Sequence, residues 1–183
     1  MPRAGLSTDA VVDVALALVD EKGIEALSLA AIADRAGVAA PSLYKHVGSL
    51  ADLRTLLALR ILRQVTGVFA EVVMGRSGDD AVEALMRAYR AYVLANPGRY
   101  TLIPPDSLGQ ELLVDAGREL MAVFFAVLRG YGLDDIAATH AIRRLRATVH
   151  GFAALESGGG FGLPEDIETT YDSVITMYLR SLR

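Results

Sequence analysis

Cysteine is absent from the 183 residues. That removes disulfides, thiolate metal ligands and cysteine nucleophiles in one step, and it fits a reducing compartment. Long hydrophobic runs are missing too. The opening stretch MPRAGLSTDAVVDVALALVDEKG is interrupted by Asp9, Asp13, Asp20 and Glu21. It therefore reads as neither a signal peptide nor a membrane span. No other apolar run reaches membrane length, so a cytoplasmic chain with no membrane partner is expected. Strand-like alternation is almost absent, and no internal repeat stands out. Disorder is disfavoured, because 52% of the residues are hydrophobic and 22% are charged, ample for a buried core.

Catalytic and metal-binding patterns are missing as well. Ser42 and His46 lie four apart on one helical face, the spacing of a nucleophile and its base, but no acid is placed to orient the histidine. His140 and His150, ten apart, fall on different faces of one helix and make no simple metal pair. GGGFG at 158–162 lacks the strand before it and the Lys-Ser/Thr after it that a phosphate cradle needs. No enzyme activity, metal or cofactor is expected.

What is present reads helical throughout. Val11, Val12, Ala15, Leu18 and Val19 form a stripe over 7–22, with Ser7 as cap and Gly23 as stop. Ser28 caps a second, short segment, LAAIADRA, which Gly37 ends. Pro41, suited to a first helical position, opens a third. Two short helices joined by a Gly-containing turn make a helix-turn-helix pattern, whose second helix enters the DNA major groove. Ser49, with Asp52 three residues on, begins a helix that runs to about Met74. GRSG at 75–78 is the clearest break. Helices are then expected at 79–96, 107–130, 134–156 and 165–182, with a loop at 157–164.

The net charge of −4 argues against nucleic acid until its distribution is considered. Residues 34–63 carry Arg35, Lys45, Arg54, Arg60 and Arg63 against only Asp34 and Asp52. Inside that basic stretch lies GVAAPSLYKHV, 37–47. Leu43 and Val47, four apart, form an apolar underside, and Ser42, Tyr44, Lys45 and His46 supply donors above it. Pro41 biases Ala40 away from helical angles. Ala40 has no capping side chain, so the first-turn N–H groups are left for water or a phosphate. That combination suits a groove-reading helix.

LSLAAIADRAGVAAPSLYKHVGSLADL resembles the DNA-binding region of the TetR family of bacterial transcriptional regulators, over roughly residues 7–60. The resemblance implies an all-α chain: a helix-turn-helix domain at 1–50, a connecting helix at 51–74, and a ligand-binding and dimerising helical bundle at 75–183. It implies DNA contacts from Ser28, Ala39, Pro41, Ser42, Tyr44, Lys45, His46 and Arg54. Two positions depart from the family pattern. Leu50 stands where a phosphate-touching lysine is frequent, and Ala39 where a serine is. Arg54 and Arg3 are the nearest substitutes for these two phosphate-binding positions. TVHGFAALESGGGFGLP is similar to a TetR-like C-terminal subtype marked by His150, Gly151, Leu155, Glu156 and Gly160, although the tryptophan common in that subtype is missing.

The implied function is a repressor released from a palindromic double-stranded operator by a small molecule. The aromatic C-terminal half points to an apolar or aromatic effector, with Tyr92, Tyr100, Phe124, Arg143 and His150 as candidate contacts. The resemblance places a homodimer contact on 134–156 and 165–182. Apolar residues recur along both: Ala138, Ile142, Leu145, Val149 and Phe152 on the first, Ile167, Tyr171, Val174, Ile175, Tyr178, Leu179 and Leu182 on the second. The competing reading is a helical dimeric small-molecule-binding protein that no longer reads DNA, supported by Leu50 and the near-neutral N-terminal part.

Overall fold

The computed structural model describes residues 6–183. Among them there is no strand, and no helix is long and apolar enough to cross a membrane. The helices are α1 (Thr8–Lys22), α2 (Leu29–Ala36), α3 (Ala40–Leu43), α4 (Leu50–Val73), α5 (Gly78–Ala95), α6 (Pro97–Tyr100), α7 (Val114–Leu128), α8 (Asp135–Ser157) and α9 (Ile167–Arg180). The chain divides into two compact units. The first ends at Arg63 and takes in Gly98–Gly117; the second comprises Gln64–Pro97 and Arg118–Arg183. Helix α4 contributes to both.

The first unit follows its local signals closely. Ser7 Oγ accepts from Ala10 N at 3.1 Å, Ser28 Oγ from Ala31 N at 3.2 Å and Ser49 Oγ from Asp52 N at 3.0 Å. Each bond satisfies an N–H that a helix start leaves orphaned. Gly37 ends α2 in the left-handed region, with φ 66°, where a Cβ would be strained. The core gathers Val11, Val12, Ala15, Leu16, Leu18 and Val19 of α1 with Ile32, Leu43, Val47, Leu53, Leu57 and Ile61.

Residues 98–117 differ from the sequence reading. They cluster with this unit rather than with the C-terminal bundle, and α7 begins at Val114 instead of near 107. Pro104 and Pro105 break the backbone pattern, and Asp106 Oδ1 accepts from Gly109 N at 2.8 Å in a side-chain-closed turn. The segment is tied to α1: Arg99 forks onto Asp20, with Nε to Oδ1 at 2.7 Å. A Cβ on Gly98 would lie 3.0 Å from Val19 Cγ1, so the close approach uses the missing side chain.

In the second unit α5 packs along α8 and against α9. Phe69, Tyr89 and Phe124 form an aromatic cluster with centroids 5.4 to 6.5 Å apart. Two buried tyrosines bond across helices: Tyr171 OH donates to the Met86 carbonyl at 2.6 Å and Tyr178 OH to the Ala141 carbonyl at 3.0 Å. Burial pushes the Tyr178 hydroxyl up to about 12. These contacts account for much of the apolar stripes on α8 and α9 within the chain. Ala138, Ile142, Leu145, Val149, Phe152, Tyr171, Ile175, Tyr178 and Leu182 are buried within the chain itself, while Ile167, Val174 and Leu179 of the α9 stripe are half-buried.

Arg90 is the buried charge of this unit, 7% exposed. Its Nε and Nη2 each reach a Glu156 carboxylate oxygen at 2.6 Å, and Nη1 and Nη2 reach Glu168 at 2.9 and 2.7 Å. The guanidinium also lies 4.6 Å from the Tyr171 ring centroid and 5.5 Å from that of Phe152. One side chain of α5 therefore holds the end of α8 and the start of α9. The hydrogen bonds to Arg90 keep the Glu168 carboxyl below its ordinary range. Removing one partner of a buried pair leaves the other charge uncompensated. Arg90→Ala is expected to destabilise the protein by about 3 kcal/mol, and Glu168→Gln by much less because Glu168 faces solvent. Urea unfolding of both variants checks the order.

Candidate nucleic-acid interface

The turn from α2 into α3 is closed by backbone. Gly37 N bonds the Asp34 carbonyl at 3.1 Å and Val38 N the Ala33 carbonyl at 3.0 Å, the pattern of a left-handed helix end. Ala39, extended at φ −71° and ψ 138°, stands at the cap position of α3 with no side-chain bond. Ala40 is itself helical, despite the bias that Pro41 imposes on its predecessor. The cap thus falls one residue earlier than the sequence suggests.

Helix α3 is a single turn of four residues. Tyr44, Lys45 and His46 lie beyond its last helical residue, in a turn where His46 N and Val47 N both bond the Leu43 carbonyl, at 2.8 and 3.0 Å. The expectation of a longer reading helix is corrected accordingly. Alanine and proline at the start give no cap, and Gly48 follows at once, so local signals do not extend the helix. Leu43 and Val47 are buried at 0% and 3% exposure. Above them Pro41, Tyr44 and Lys45 are exposed, Tyr44 at 60%, and Ser42 and His46 are half-buried. Ser28 and Arg54 are exposed, Leu50 is half-buried, and Arg3 lies outside the described residues.

Charge on this face is more selective than the sequence count implies. Arg35 forks onto Glu21, with Nη1 to Oε2 at 2.7 Å, and Arg60 bridges Asp9 at 2.7 Å and Asp13 at 2.8 Å. Both arginines, counted in the basic stretch, are spent on the acidic residues of α1. Lys45 and Arg54 hold no ion pair among the described residues. Lys45, among the exposed donors, therefore keeps its charge for a polyanion, as do Arg54 and Arg63 of α4. Periodicity could not show which arginines are paired, because each partner sits on another helix.

The candidate effector contacts are scattered. Tyr92 and Phe124 are buried, Phe124 within the aromatic cluster. Arg143 and His150, seven apart on α8, are exposed, and Tyr100 is half-buried. Among the described residues no group of acidic and histidine side chains is placed to hold a metal ion.

Residues 11–54 match the model described as bacterial regulatory proteins, tetR family, and residues 82–178 the one described as tetracyclin repressor-like, C-terminal domain. The chain belongs to the TetR family. Rv0681, an HTH-type transcriptional regulator of Mycobacterium tuberculosis, is 38% identical over 180 residues, 97% of this chain and 80% of the relative. YobS, an HTH-type transcriptional regulator of Bacillus subtilis, is 33% identical over 185 residues, 99% and 95% of the two chains. Two solved structures share the fold. ActR of Streptomyces coelicolor, in complex with actinorhodin, has TM-score 0.73 at 21% identity and 98% and 97% coverage. BioQ, bound to its double-stranded DNA operator, has TM-score 0.70 at 18% identity and 97% and 98% coverage.

For this TetR-family chain, Lys45→Ala is expected to weaken binding to operator and scrambled DNA alike and to reduce the salt slope by about one unit. Tyr44→Ala is expected to lower operator affinity about tenfold, a base-edge or positioning loss. Anisotropy titrations at several salt concentrations check both, and unchanged affinities would move the reading surface elsewhere.

Proposed function

We propose that this chain is a homodimeric repressor that leaves a palindromic operator when a small molecule binds. The observation that carries the reading is the turn at 41–47: exposed Tyr44 and Lys45, half-buried Ser42 and His46, and buried Leu43 and Val47 beneath them. Ser28, Ala39, Pro41, Ser42, Tyr44, Lys45, His46 and Arg54 are the proposed DNA contacts. In a two-fold dimer each such turn enters one major groove, the half-sites lying roughly 34–36 Å apart. BioQ, seen with its operator, and ActR, seen with actinorhodin, support DNA and ligand binding on this fold.

Tyr92, Tyr100 and Phe124 are the proposed effector contacts of apolar or aromatic character. Arg143 and His150, being exposed, are proposed for a polar part of the ligand only. Helix α4 continues from one unit into the other, which makes it the proposed lever. The effector shifts DNA affinity only by its preference for one of two conformations.

The dimer contact is proposed on the parts of α8 and α9 that the chain leaves open, where Ile167, Val174 and Leu179 are half-buried. Those parts include exposed Leu155 and Met177. They also include Gly151, where an added Cβ meets nothing within 4 Å. A mid-helix glycine costs about 1 kcal/mol relative to alanine, and nothing within the chain requires one there. Gly151→Arg and Met177→Arg are expected to raise the dimer dissociation constant at least ~10-fold without lowering monomer stability, read by light scattering against concentration.

Anisotropy of the wild-type protein against DNA from its own upstream region, with scrambled DNA as control, tests the whole reading. Preference of ~10³-fold or more, with a steep salt dependence, is expected. Equal weak binding to every candidate site would favour the small-molecule-binding alternative, with Ala39 and Leu50 as its structural basis.

A further inference from the structure

A reading turn that is not held by its own helix must be held by something else. The last helical residue of α3 is Leu43, and the donors Tyr44, Lys45 and His46 follow it. Past that point the chain is held by the bonds of His46 N and Val47 N to the Leu43 carbonyl and by buried Val47, and a further anchor from outside the segment would fix it before α4 starts at Leu50. One is present on α1: Thr8 Oγ1 donates to the His46 carbonyl at 3.3 Å, a partly buried bond spanning 38 positions of sequence.

Nothing in α1 itself calls for a threonine there. Ser7 already provides the side-chain cap by accepting from Ala10 N. Threonine is also among the weaker helix formers, because its β-branch restricts the side chain against the helix. The same turn of α1 is fixed from the other side. Asp9, next to Thr8, and Asp13, one turn on, both bond Arg60 of α4. The first turn of α1 thus grips the reading segment at its end and α4 in its body.

From this juxtaposition we infer that Thr8 is a positioning residue for DNA reading: its hydroxyl sets where the backbone after His46 lies, and so where Tyr44, Lys45 and His46 point. The inference rests on residues 41–47 being the DNA-facing segment, but its structural half is testable without DNA. Carbonyl anchoring of this kind is worth a modest factor, because a single neutral hydrogen bond trades against one to water. Misplacement of a base-reading side chain adds to that factor only for the specific complex, where geometry decides.

The variants are Thr8→Val, which keeps shape and β-branching but loses the hydroxyl, and Thr8→Ser, which keeps the hydroxyl. Hydrogen exchange on the full chain without DNA comes first. Thr8→Val is expected to speed exchange in 44–49 while leaving α2 and the second unit unchanged, and Thr8→Ser to restore the wild-type pattern. Unchanged exchange with valine overturns the inference whatever DNA binding shows. Faster exchange throughout the first unit overturns it too, by showing a general packing role.

The second arm is anisotropy against operator and scrambled DNA. Thr8→Val is expected to weaken operator binding about three- to tenfold, with scrambled-DNA affinity and salt slope unchanged and with rescue by serine. Equal loss on both DNAs would make Thr8 a direct phosphate contact and overturn the positioning role. Faster exchange at 44–49 with unaltered operator affinity overturns it as well. A wild-type protein with no operator preference would defeat the repressor reading, and the exchange data would still decide whether Thr8 anchors the turn.

Discussion

A four-residue helix cannot keep itself in place. Helix formation is cooperative, and one turn gains too few hydrogen bonds to offset the ordering of its residues. The segment proposed to read DNA is such a helix, α3, followed by a turn. Its position is therefore set by burial of Leu43 and Val47, and the rest of the first unit is arranged to make that burial possible. The capped starts of α1, α2 and α4 and the left-handed Gly37 fix the directions of the helices around it.

Arginine gives both units their second layer of order. In the first, Arg35, Arg60 and Arg99 each meet carboxylates of α1. These pairs are partly exposed, so each adds little stability. They set orientation, and in the first unit they leave Lys45 and Arg54 among the basic groups without an ion pair in the described residues. In the second unit Arg90 is buried between Glu156 and Glu168 and beside two aromatic rings. There the cost of desolvation is offset by forked hydrogen bonds, and the pair specifies how α5, α8 and α9 meet.

Much was legible locally. Ser7, Ser28 and Ser49 announced helix starts, Gly23 and Gly37 announced stops, and the structure bears each one out. Capping and left-handed turns involve residues three or four apart, so local sequence carries them. The stretch 101–113 between α6 and α7 was less legible. Its residues from 107 on read as the start of α7, and only the prolines and the Asp106 turn before them mark it otherwise.

The sequence by itself determined the all-α class, the helix-turn-helix and the pair of buried anchors four apart, because those follow from periodicity and short-range bonding. Tertiary structure alone decided which face of α8 and α9 is core, since an apolar stripe looks the same whether its own chain or a second copy covers it. It also decided which arginines are neutralised, and it matched Arg90 to Glu156 and Glu168, 66 and 78 positions away. Ion pairs and the Thr8 bond to His46 form between helices distant in sequence. No local pattern encodes them, because a charge or a hydroxyl has no fixed spacing to its partner until the helices have packed.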